Sequence, residues 1–148
     1  MKNNIFYFAF FIISLALFRI IPHPPNFTPI IASAIMCPLL TKDKLFGASI
    51  PIFAMFISDI ILGFHTYQFI IYGTLISISL ITLRKSNLLI TIISGILASV
   101  WFFITTNFAV WIFWDFYPKT LDGLLSCYTL AIPFFQNTLI STLLFCLI

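Results

Sequence analysis

The 148-residue chain contains no glutamate, and only 7% of its residues are charged. A water-soluble domain carries roughly a quarter of its residues as charges, so this scarcity excludes one. Metal and redox motifs are missing too. The three cysteines, Cys37, Cys127 and Cys146, lie far apart without C-x-x-C spacing and read as small apolar side chains. No G-x-x-x-x-G-K loop occurs, so nucleotide hydrolysis by that route is excluded. No cofactor or metal set is expected. The net charge of +3 is small and spread over short loops, which rules out a nucleic-acid-binding patch.

What remains is apolar. Hydrophobic residues make up 61% of the chain and mean hydropathy is +1.15. Apolar runs divided by short polar breaks predict an all-α polytopic membrane protein, one domain over residues 1–148. At about 20 residues per crossing, the length allows roughly six helices. Helix one is expected from about Asn4 to Ile21, helix two from about Phe27 or Pro29 to Leu40, and helix three from about Phe46 to Gly63. Helix four follows at about Tyr67–Leu83 and helix five at about Leu88–Trp114. A loop from Asp115 to Cys127, with turn signals at Tyr117-Pro118 and Asp122-Gly123, leads to helix six at about Tyr128–Ile148. Helix two is short for a crossing; a re-entrant helix two would leave five crossings and, with the Lys42 and Arg84 loops kept inside, place the N-terminus outside. The apolar run after Lys2 reads as a retained first helix, because no cleavage motif ends it.

Six crossings place Lys2, Lys42, Lys44, Arg84 and Lys85 on one side and leave Arg19 and Lys119 on the other. The positive-inside rule then predicts both termini in the cytoplasm, for a multi-pass protein expected in the inner (plasma) membrane. The uncommon polar residues collect at the outer face. Arg19-Ile20-Ile21-Pro22-His23-Pro24-Pro25-Asn26-Phe27-Thr28-Pro29 carries four prolines between two apolar runs. Its prolines fix φ and restrict the residues before them, so a stiff, largely extended loop is expected to hold His23 and Asn26. Asp59 and His65 flank the second outer turn. An ionisable group in a membrane segment is costly and marks a site, and Arg19 and Asp59 are expected to share one polar network. Asn107, Trp111 and Asp115 recur at i, i+4 and i+8 on helix five. Gln136 and Asn137 follow Pro133 on helix six. These ten residues, Arg19, His23, Asn26, Asp59, His65, Asn107, Trp111, Asp115, Gln136 and Asn137, form the candidate site for a small polar solute. Two other readings compete: a membrane-embedded enzyme using His23, His65 and Asp59, and a structural membrane subunit.

The proline-rich segment, together with Ser58–His65 (S-D-I-I-L-G-F-H), Thr106–Trp111 (T-N-F-A-V-W), Tyr117–Leu124 and Cys127–Thr138, resembles an uncharacterised family of small bacterial integral-membrane proteins. That family is similar to the substrate-binding S components of energy-coupling-factor (ECF) transporters. The resemblance implies a six-helix fold that binds solute at its outer side, beneath the loop joining helices one and two. It also implies partners besides the lipid bilayer: a transmembrane T component and two ATPases. The A-x-x-x-A spacing with which S components meet the T component is not kept, since Ile13 follows Ala9 and Ile20 follows Ala16.

Overall fold

The structure is a computed structural model that describes residues 2–41, 43–82 and 87–148, with side chains from Phe6 onward. The expectations for Lys42, Arg84, Lys85 and the Lys2 side chain lie outside the described residues. Among those described, the chain is all-helical: α1 (Lys2–Ile20), α2 (Ile30–Leu40), α3 (Lys44–Leu62), α4 (Gln68–Ile81), α5 (Leu88–Phe113), α6 (Leu121–Leu130) and α7 (Ile132–Leu147).

Six crossings are not what these helices provide. Only α3 and α5, of 19 and 26 residues, are each long and apolar enough to cross a membrane. The pair α6–α7, bent by 47°, adds a third if it acts as one broken span. The reason is length. α2 and α4 have 11 and 14 residues, rising only ~16 and ~21 Å against the ~30 Å hydrocarbon core. The described apolar part of α1, Phe6–Ile20, also falls short.

α2 occupies the centre. Its residues Ile30–Ile35, Cys37 and Pro38 are all buried, and a helix apolar on every side is one surrounded by others. It packs against α3, α4, α5 and α7, while α1 lies on α3 and α5 joins α7 to α4. The approach of α3 to α2 is close: a Cβ on Gly47 would sit 2.6 Å from the Pro38 Cα. Hydroxyls tie the helices together, with Ser79 Oγ donating to the Ala34 carbonyl at 2.8 Å and Thr74 to Thr105 at 3.0 Å. Large apolar side chains such as Phe10, Phe53, Phe69, Leu97 and Ile140 stand exposed around this core.

Helix ends follow local chemistry. Asp43 caps α3 by accepting from Leu45 N at 2.9 Å, and Lys44 Nζ donates to the Leu80 and Thr82 carbonyls at the end of α4. The cation there also suits the negative end of the helix dipole. Gly63 ends α3 at φ 94°, a conformation open to glycine. The expected loop from Asp115 to Cys127 is half helix. Thr120 caps α6 by accepting from Gly123 N, so Asp122 and Gly123 belong to a first helical turn. Gly123 also lies against the Pro118 carbonyl, which an added Cβ would meet at 2.0 Å; close approach, not turning, is what this glycine provides. Pro133 stands in the first turn of α7, where its missing N–H costs nothing within that helix, and the break before it separates α6 from α7.

Candidate functional site

The proline-rich segment turns rather than running extended. Phe27 N bonds to the Pro24 carbonyl at 3.0 Å, and Asn26 has φ 62°. Proline at the second position and a positive-φ asparagine at the third are the marks of a type II turn. Asn137 Nδ2 on α7 donates to the Pro25 carbonyl at 3.0 Å and ties the turn to the bundle. Phe27 and Phe18 both pack against Phe145. His23 accepts its place from the chain itself, with Nδ1 2.6 Å from the Ile21 carbonyl.

Beneath this turn, Arg19 and Asp59 form a direct ion pair, Nη1 to Oδ1 at 2.7 Å. Arg19 Nη1 also bonds to Ser58 Oγ and to the Met55 carbonyl. The second carboxylate oxygen accepts from Gln68 Nε2 and from the Tyr72 hydroxyl, the latter at 2.7 Å. Gln68 Oε1 in turn accepts from His65 N. Asp59 is fully buried, with both oxygens occupied, which is the condition under which a charge persists in an apolar interior. The sequence reading missed Gln68 and Tyr72. They sit four residues apart on the helix that the Gly63 turn folds back beside Asp59, a same-face spacing visible in the sequence.

A cavity of about 350 Å³ opens beside this network, at the lower end of the range for small-molecule sites. Arg19, His23, Asn26, His65 and Asn107 line it; Asp59, Trp111, Asp115, Gln136 and Asn137 do not. The remaining polar lining comes from Thr28, Tyr67, Gln68, Thr106 and Thr138, and an aromatic wall from Phe102, Phe103, Phe134 and Phe135. His65 stacks on Tyr67 with ring centroids 5.8 Å apart, and Trp114 meets Tyr67 edge-on. Burial, and to a lesser degree Cys127, raise the Tyr67 phenol above its ordinary value of 10, so it is a neutral hydroxyl at neutral pH.

The i, i+4, i+8 series on α5 divides. Asn107 faces the cavity and donates to the Phe103 carbonyl. Trp111 Nε1 donates to the Pro118 carbonyl at 3.0 Å, and Asp115 lies beyond the end of α5, exposed, 3.8 Å from Lys119. Lys119 Nζ caps α5 at the Trp111 and Trp114 carbonyls. Gln136 is exposed. Phe102 and Phe103 carried no signal in a chain with 19 phenylalanines. The three cysteines are free and buried.

These features define a class: an all-helical protein, with two to three helices long and apolar enough to cross a membrane, enclosing a cavity lined by polar and aromatic side chains. Over residues 1–148 the chain belongs to a family of unknown function, DUF6580. No curated protein and no solved structure matches it.

Proposed function

We propose that this protein is a membrane-embedded binding protein that captures a small polar solute in the cavity beneath the proline-rich turn. The observation that carries the reading is the convergence of Arg19, His23, Asn26, His65 and Asn107, drawn from α1, two loops and α5, on one cavity. The wide cover of exposed apolar side chains supports a bilayer setting. In this reading the protein sits in the inner (plasma) membrane with the turn outside and both termini in the cytoplasm. It acts as an S-component-like subunit, delivering solute to a transmembrane T component driven by ATPases.

The arrangement gives each residue a task. The Arg19–Asp59 pair sets the polarity of the cavity from beneath. Asn26 and Asn107 supply directional hydrogen bonds, and Tyr67 with Phe102 and Phe103 supplies flat apolar contact. Trp111, Asp115 and Asn137 act on the frame, holding the α5–α6 connection and the turn. An enzyme built on His23, His65 and Asp59 is less well supported, because the Asp59 carboxylate is buried in its own network and does not reach the cavity.

The test is to purify the protein in mild detergent, extract it with solvent and identify released small molecules by mass spectrometry. One solute released in near-stoichiometric amount from folded protein, and absent from heat-unfolded protein, is the expected result. Release of lipid and detergent alone contradicts the proposal.

A further inference from the structure

The lining of the cavity is unbalanced in charge. Arg19 spends Nη1 on Asp59, Ser58 and Met55, while its Nη2 and Nε make no hydrogen bond among the described residues. The Arg19 side chain is 16% exposed and that of Asp59 is 1%. The ion pair therefore presents its positive end to the cavity and keeps its negative end behind. Among the described residues, no aspartate and no lysine lines the cavity. A cationic solute would meet the guanidinium with no counter-charge in reach, whereas an anion meets unused donors in the fork geometry that matches a carboxylate. There is one such edge, so one negative charge is accommodated; a dianionic phosphate would leave charge unpaired in a largely apolar space. His65 adds a ring nitrogen that can donate, whereas the Nδ1 donor of His23 is already spent on the Ile21 carbonyl. Phe102, Phe103 and Tyr67 add aromatic rings to the same lining.

We infer that the cavity takes a small planar monocarboxylate, its carboxylate on the outward edge of Arg19 and its ring against the aromatic wall. This rests on the solute-binding reading above and narrows it to a chemical class.

The experiment uses the full chain in detergent and three matched probes: benzoate, benzamide and benzylamine, at neutral pH and millimolar concentration. Binding is read by equilibrium dialysis and by thermal stabilisation. Benzoate is expected to bind at least about tenfold more tightly than either neutral or cationic probe, a margin of ~1.4 kcal/mol. Arg19→Lys keeps a cation beside Asp59 but removes the planar edge; it should bring benzoate to the level of benzamide. Should that variant fold poorly, the wild-type series alone decides the class. Equal or tighter binding of benzamide or benzylamine overturns the assignment of charge, and absence of binding by all three overturns the assignment of class. Neither result touches the broader reading, which is decided separately by whether the purified protein releases a solute.

Discussion

Asp59 shows how a chain with so few charges carries one in its interior. The carboxylate is met by Arg19, Gln68 and Tyr72 from two other helices, so both of its oxygens are hydrogen-bonded. Removing one partner strands the other, so Arg19→Met or Asp59→Asn alone should destabilise the protein by about 3–5 kcal/mol, and the double variant by clearly less. Thermal unfolding in detergent measures this, and additive losses would contradict a coupled pair. The two charges were legible in the sequence because ionisable residues are scarce there. Gln68 and Tyr72 were not singled out, since an uncharged amide and a phenol in an apolar run look like many others. Asp115 shows the opposite error: the same-face spacing assumes a continuing helix, and α5 ends at Phe113, while Trp111, still within α5, donates to the Pro118 carbonyl instead.

At the scale of elements, the turn under the prolines depends on Asn26 more than on stiffness. Its φ of 62° lies in the left-handed region, where asparagine and glycine are tolerated and β-branched residues are strained. Asn26→Gly should leave thermal stability nearly unchanged, while Asn26→Val should cost about 1–3 kcal/mol; equal stability of the two variants would contradict the turn. The prolines announced a loop at this place, but its path was misread, because proline restriction fixes φ without saying where a following residue reverses the chain. Helix positions along the apolar runs were legible to within a few residues. The start of α6 was not: Asp122-Gly123 reads as a turn unless the Thr120 cap and the Pro118 carbonyl against Gly123 are known, and the second of these is a tertiary contact.

For the whole molecule, the count of crossings is where sequence and structure part. Apolar composition predicts burial in lipid but not helix length, and α2 is apolar because other helices surround it. Sidedness remains testable with the proposed orientation. In a background lacking Cys37, Cys127 and Cys146, a cysteine at Asp122 should react with an impermeant thiol reagent in intact cells and one at Lys44 should not; the reverse pattern would invert the orientation. The central claim is that the cavity beneath the turn holds a solute. Native mass spectrometry of the intact protein tests it most directly, comparing wild type with Val110→Phe, which adds a ring at the cavity wall without touching the ion pair. The account predicts one small-molecule adduct on the wild type and its loss from a variant with unchanged thermal stability. The same adduct on both proteins, or none on the wild type, would contradict it.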